Sequence, residues 1–345
     1  MDKKRIILVG VIIVFSMMLS SFAFYFFQIL YSPNFLIGGQ ARPLTIPTGS
    51  TFKDVQRIVY DKRYVNDLIS FSFLSKLMDY DKYVKPGLFV IQPDMTNLEV
   101  VRMLRSGEQT PVNITFNTIR ILDELPERIT KNLEMSGEDF SEVLANDSLR
   151  IAFGFDSLNY ISMFIPNTYQ VYWNIQPMDL IRRMNKEYQT FWNADRKQKA
   201  EKLGLTIQEV QILASIVQAE ISMSDESRRV AGVYINRLNR GYALQADPTL
   251  VFAAQDFTIK RVLNKHKNID SPYNTYKYTG LPPGPINMPS VTTIDAVLNY
   301  EKHKYLYFCA REDFSGYHNF ATNLVDHNRN AEKYQRALNK AGLYR

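Results

Sequence analysis

Cysteine occurs once in this chain, at Cys309, so no disulfide can form within it and no cysteine cluster can hold a metal. Histidine is nearly as scarce. His266, His303, His318 and His327 include no HExxH pair and no other metal-ligand spacing, and the expectation is chemistry without metal or cofactor. Basic blocks are missing beyond the "KKR" of positions 3–5. The net charge of +6 and the pI near 9.1 therefore describe a mildly basic surface and give no ground for a nucleic-acid partner. With 46% hydrophobic and 22% charged residues the chain is not largely disordered, and 345 residues suffice for two or more domains with a substantial core.

What the sequence does have, at its start, is a long apolar run. Ile6 to Leu30 carries no charged residue and is long enough at helical rise to cross a bilayer. Lys3, Lys4 and Arg5 precede it, so the positive-inside rule places the N-terminus in the cytoplasm and everything after about residue 31 outside, on a single-pass anchor in the cytoplasmic membrane. A cleaved signal peptide would have a shorter apolar core and a small-residue cleavage site, which the bulky "FAFYFFQILY" does not supply.

From Leu44 to about Gly107 the pattern is that of a small mixed unit. "LTIP" reads as a strand and "STFKDVQRIVY" as a helix with Phe52, Val55, Ile58 and Val59 inward. "NDLISFSFLSKLM" is a second helix, "KPGLFVI" a strand after a Pro-Gly turn, and "TNLEVVRMLRSG" a helix with a Thr96/Glu99 capping box and Gly107 as its stop. A weaker echo follows in "VNITF", "ILDELPERITKNL" and "SGEDFSEVLA". Beyond about Tyr160 helices alternate with Pro-rich loops: "SDESRRVAGVYINRLNRG" with Ser224 or Asp225 as cap and Gly241 as stop, and "ADPTLVFAAQ" with Asp247 as cap and Pro248 at the first helical position. The stretch 271–290 holds five prolines and can be neither helix nor interior strand, a composition that suits a loop packed over a site. "KYLYFCA" is a strand, and the last helix carries Leu324, Ala331, Tyr334 and Leu338 on one side. Trp173 and Trp192 read as packing residues.

Within "ASIVQAEISMSD", residues 214–225, one residue is out of place. Thr206 and Glu209 have capping-box spacing, so a helix starts near Ile207 and puts Val210, Leu213, Val217 and Glu220 on one side. Gln208, Gln211, Ser215 and Gln218 share the opposite side, which should meet water or a polar partner. A carboxylate at the end of the apolar stripe costs free energy unless it is paired, solvated in a cleft or protonated. The structural reading pairs Glu220 with Arg228 or Arg229; the functional reading makes it an acid.

The strings "ASIVQAE", "VAGVYINRL", "LQADPTLVF", "SPYNTYKYTGLPPGPI", "YLYFCA" and "GYHNF", in this order and at these separations, resemble the membrane-anchored endolytic peptidoglycan transglycosylases, the MltG or YceG-like family. The resemblance covers essentially the whole chain. It implies an α+β protein with a cytoplasmic tail (1–5), a transmembrane helix (6–30), a small LysM-like α/β module (44–108), a connecting subdomain (109–158) and a larger, mostly helical catalytic domain with a few strands and Pro-rich loops (159–345). It places the catalytic glutamate on Glu220, and the upstream glutamate common in the pattern is Gln218 here. It also implies a cleft around Asn236, the Gln245 to Thr249 turn with Asp247, the Asn274 to Tyr276 loop and the segment holding His318. The chain departs from the pattern twice: "NTIRIL" follows "NITF" where "EG" is expected, and "MPS" follows "GPI" where "NPG" is expected.

The activity so implied is cleavage of the bond between N-acetylmuramic acid and N-acetylglucosamine inside a glycan strand, one glutamic acid serving as acid and then base and leaving a 1,6-anhydro end. The implied partners are peptidoglycan strands, the membrane and peptidoglycan synthases. Two other readings share the residues: a non-catalytic wall-binding scaffold, and a hydrolase using Asp225 or Asp247 as its second carboxylate.

Overall fold

The computed structural model describes residues 3–342, which fall into two compact units: one of residues up to 114 with 132–135 and 170–175, and one of 115–131, 136–169 and 176 onward. The fold is mixed and mainly helical, with four two-stranded sheets among the described residues.

The first unit holds α1 (Lys3–Tyr31), β1 (Pro33–Phe35), β2 (Arg42–Ile46), α2 (Phe52–Asp61), α3 (Leu68–Leu77), β3 (Gly87–Ile91), β4 (Met95–Thr96) and α4 (Asn97–Ser106). Helix α1 has 29 residues and a mean hydropathy of 2.6 over its most apolar stretch, enough to cross a membrane. Strands β2 and β3 pair antiparallel from Arg42↔Ile91 to Ile46↔Gly87, with α2 and α3 between them in the chain. The capping boxes Thr51/Asp54 and Thr96/Glu99 start α2 and α4, and Gly107 ends α4 in the left-handed region at φ +72°. Phe52, Val55 and Val59 from α2 and Val100, Val101 and Leu104 from α4 meet Leu44, Ile46, Phe89 and Ile91 in one core. The order strand, helix, helix, strand is thus built on period-2 and period-3.6 burial of these apolar positions.

Strand β5 (Val112–Phe116) pairs with β6 (Asn167–Val171), and within the second unit Thr115 and Thr168 share a 2.8 Å hydrogen bond. Between them in the chain lie α5 (Leu125–Thr130), α6 (Gly137–Leu144) and α7 (Asp147–Ala152). The remainder of the second unit comprises α8 (Pro177–Phe191), α9 (Ala194–Leu203), α10 (Ile207–Glu220), α11 (Ser227–Asn239), α12 (Asp247–Ala254), α13 (Asn264–Lys267), α14 (Val291–Leu298), the antiparallel pair β7 (Tyr307–Ala310) and β8 (His318–Ala321), and α15 (Leu324–Lys340).

Helix α10 is the centre of this unit. Its capping box is formed, with Thr206 N–H donating to Glu209 Oε2 at 2.7 Å, and every residue from Val210 to Val217 is buried. The glutamine side therefore meets polar protein groups instead of water. Gln211 donates to the Ser162 carbonyl, Ser215 Oγ accepts from Ile286 N–H, and the Ser215 carbonyl accepts from Asn287. The reason is enclosure: α9, α11, α12 and α14 all pack on α10, so a polar stripe can exist only where each group has a partner.

Two other expectations are corrected. Helix α11 starts at Ser227 after a 3-10 turn at Ser224–Glu226, with neither Ser224 nor Asp225 capping it through a side chain. Helix α12 starts at Asp247, with Ala246 in the capping position and no side-chain cap bond, because the Asp247 carboxylate is taken by Tyr276. In α15, Leu324 is exposed while Ala331, Tyr334 and Leu338 are half-buried, since α15 lies on β7 and β8 with water along its other side.

Candidate active site

Glu220 is the last residue of α10; the chain turns to an extended conformation at Ile221, with ψ 141°. The side chain is half-buried and accepts a 3.0 Å hydrogen bond from the hydroxyl of Tyr234, a buried residue of α11 whose ring packs edge-on against Phe308. The arginine pairing is absent: Arg229 binds Glu301 at 3.0 Å and Arg228 donates to the Asn299 carbonyl. With no cation to hold its charge, the carboxyl is pushed up from 4.5 to about 7, chiefly by burial; the Tyr234 hydroxyl opposes this, the Asp247 charge adds to it, and the Asp247 backbone N–H opposes it. Its place at the C-terminal, negative end of a helix acts in the same direction as burial.

Two cavities meet at Glu220 and Asp247, which line both. The smaller, about 290 Å³, is walled by Tyr234, Arg237, Gln245, Tyr276, Phe308, Cys309, His318 and His327. The larger, about 540 Å³, is walled by Thr118, Arg120, Gln218, Phe252, Phe257, Lys260, Arg261 and Asn287, among others. A carboxyl that keeps its proton near neutrality thus stands at the junction of a cleft extending two ways.

The walls are rigidly tied. Gln245 has φ +54°, a costly conformation for a residue other than glycine, and is held by its N–H to the Thr275 carbonyl and by Arg237 at its Oε1 (2.7 Å). Among the described residues its amide N–H₂ has no hydrogen-bond partner. Arg237 is itself buried and also donates to the Ala243 and Leu306 carbonyls. Tyr276 donates to Asp247 Oδ1 at 2.6 Å. His318 Nδ1 lies 2.8 Å from Glu226 Oε2, and the His318 N–H also donates to that carboxylate. Burial raises the Cys309 thiol above its ordinary value, which leaves it protonated and a poor nucleophile at neutral pH.

Of the residues singled out from sequence, Glu220, Gln245, Asp247, Tyr276 and His318 come together on the smaller cavity. Asn236, Thr249 and Asn274 line neither cavity. Asn236 donates to the His303 and Tyr305 carbonyls, Thr249 binds the Ala246 carbonyl and the Thr275 hydroxyl, and Asn274 clamps its own loop through the Lys267 and Ile269 carbonyls. They hold the walls in place. Sequence reasoning missed Tyr234, Arg237 and Glu226. Tyr234 lies fourteen residues beyond Glu220 on another helix, and only the packing of α10 on α11 brings it to the carboxyl.

The two departures and Gln218 also converge. Gln218 donates to Thr118 Oγ1 (2.7 Å) and the Met288 carbonyl (3.3 Å), and its Oε1 accepts from the Ser290 N–H (2.7 Å) and the Thr293 hydroxyl. Met288 N–H donates to the Ile119 carbonyl. An amide serves here because the node needs a donor and an acceptor on one side chain, which a carboxylate cannot offer.

The YceG-like family matches residues 44–333, and the chain belongs to that family. An endolytic murein transglycosylase of Bacillus subtilis (strain 168) is 36% identical over 162 residues, covering 47% of this chain and 44% of that protein. One of Streptococcus pneumoniae serotype 2 (strain D39 / NCTC 7466) is 26% identical over 323 residues, covering 84% of this chain and 57% of that protein. The chain thus spans about half the length of these curated relatives. The crystal structure of a yceG-like protein from Listeria monocytogenes is similar with a TM-score of 0.56 and 26% identity, covering 84% of this chain and 98% of that one.

Proposed function

We propose that the chain is an endolytic lytic transglycosylase of peptidoglycan, a lyase, with Glu220 as its acid and base. The observation that carries the reading is the position of Glu220: a carboxyl raised to about 7, without an ion-pair partner, at the junction of two cavities. A cleft extending both ways from the acid suits a strand cut in its interior. Protonated Glu220 donates to the glycosidic oxygen between N-acetylmuramic acid and N-acetylglucosamine, and the bond from that oxygen to muramic C1 breaks. The resulting carboxylate takes the proton of the muramic C6 hydroxyl, whose oxygen bonds to C1 and closes the 1,6-anhydro ring. The nucleophile is intramolecular, so no second carboxylate need activate water. Gln245 and His318 are assigned to the glycan's polar groups and Tyr276 to positioning Asp247; Asn236, Thr249 and Asn274 support them.

In this reading α1 anchors the protein in the cytoplasmic membrane with its N-terminus inside, and cutting takes place on nascent strands beside their synthases. The module at 44–108 is assigned a LysM-like wall-binding role, on the strength of its strand, helix, helix, strand order. A hydrolase remains a defined alternative because Asp247 shares both cavities with Glu220. The full chain in detergent, incubated with peptidoglycan beside its Glu220→Gln variant, separates the readings by product mass. Anhydromuramyl ends from the wild type alone are expected. Reducing ends would make it a hydrolase, and bound but uncut glycan a scaffold.

A further inference from the structure

The larger cavity carries a charge pattern that cutting a sugar chain does not require. Arg120, Lys260 and Arg261 line it, and among the described residues none of the three forms an ion pair or a hydrogen bond with the protein. Its carboxylates, Glu220 and Asp247, belong to the junction, where Glu220 keeps its proton up to about pH 7 and Asp247 is bound by Tyr276. One cation is fixed in place: the Arg120 guanidinium sits 5.1 Å over the Phe257 ring, which packs with Phe252, which in turn packs with Tyr273 at 4.7 Å. The smaller cavity is different. Its arginine, Arg237, is buried and spent on two carbonyls and Gln245. Unpaired cations around an aromatic wall, on one side of the acid only, describe a subsite for an anionic group.

The glycan backbone of peptidoglycan is uncharged apart from what its muramic residues carry. Each muramic lactyl group bears either a free carboxylate or a short peptide with carboxylates of its own, and in a strand lying across Glu220 such a peptide projects sideways next to the scissile bond. We infer that the Arg120, Lys260 and Arg261 cavity is a specificity subsite that binds the carboxylates of the muramyl peptide, so that this chain selects strands whose peptides are present and ionised. The inference rests on the transglycosylase reading for its substrate.

The test compares three glycan preparations: peptide-bearing strands, strands stripped of peptide by an amidase, and strands whose peptide carboxylates have been converted to amides. Cutting and binding are both measured for the full chain and for Arg120→Gln/Lys260→Gln/Arg261→Gln. All three side chains are exposed, and neutral glutamines keep their polarity, so the fold is retained, as circular dichroism would verify. Exposed charge pairs each contribute a small factor, and together they should give the wild type about a tenfold preference for ionised peptide strands over the other two, weakening as salt rises. In the triple variant the ratio should fall towards one. A wild-type ratio of one, an equal preference for amidated strands, or a ratio unchanged in the variant would overturn the inference. A preference that follows a lipid pyrophosphate at the strand end, instead of the peptide, would overturn it too. Absence of cutting would count against the transglycosylase reading, while the binding ratios would still decide the charge recognition.

Discussion

Glu220 shows how one residue's chemistry depends on what is not near it. The same carboxyl beside Arg229 would be an ordinary ion pair; with Arg229 held by Glu301, burial dominates and the proton stays on to about pH 7. The Tyr234 hydroxyl is the main opposing influence, since it donates to the charged form. Tyr234→Phe removes that bond and should raise the Glu220 pKa further. Because an acid works while protonated, the falling alkaline limb of kcat/KM should move to higher pH, by about one unit, as read from a pH profile. A limb that stays put, or moves down, would show that Tyr234 does not tune the acid. Legibility at this scale was uneven. The misplaced carboxylate could be read from helical spacing alone, whereas its hydroxyl partner on α11 could not, because a contact between helices leaves no periodic trace in either one.

At the scale of elements, α11 is held against the 299–305 segment by backbone as much as by side chains. Glu301 N–H donates to the Arg228 carbonyl, and His303 Nε2 donates to the Arg229 carbonyl at 2.9 Å. Gly232 makes that approach possible: a Cβ there would meet the Glu301 carbonyl oxygen at 2.5 Å and His303 Nε2 at 2.6 Å. Gly232→Ala should therefore destabilise the second unit by about 1–3 kcal/mol despite alanine's better helix propensity, and thermal or urea unfolding would measure it. Stability equal to or above the wild type would mean the segment can yield. Helix starts such as Thr206/Glu209 and stops such as Gly107 were plain in the sequence, because capping chemistry is local. The caps expected at Ser224, Asp225 and Asp247 were not formed, since a 3-10 turn and the hydroxyl of Tyr276 took their place.

For the molecule as a whole, the strongest expectation from sequence concerns the membrane. Helix α1 is 29 residues long and, apart from Phe26, Ile29 and Leu30 near its end, its large apolar side chains are exposed, which in water would be a liability and in lipid is a solvent match. The proposed orientation, with the N-terminus inside, rests on Lys3, Lys4 and Arg5 at one end. A protease added outside intact spheroplasts should degrade the chain beyond about residue 31 and spare a tag placed at the N-terminus. Protection of the large part would reverse the topology and remove the cell-wall assignment with it.

Features with a short sequence range were determined by the sequence itself: the apolar run of 6–30, the helix and strand periods, the capping boxes, the Pro-rich loop and the odd carboxylate at 220. Each arises from covalent spacing or from bonds within a few residues. The tertiary structure alone decided what surrounds that carboxylate. It enclosed the glutamine side of α10, turned Asn236, Thr249 and Asn274 into supports for the walls, joined Gln218 to the two departures from the family pattern, and set three unpaired cations on one side of the acid. Such arrangements depend on which surfaces of distant segments come to share one low-dielectric space, and no local rule of the chain encodes that.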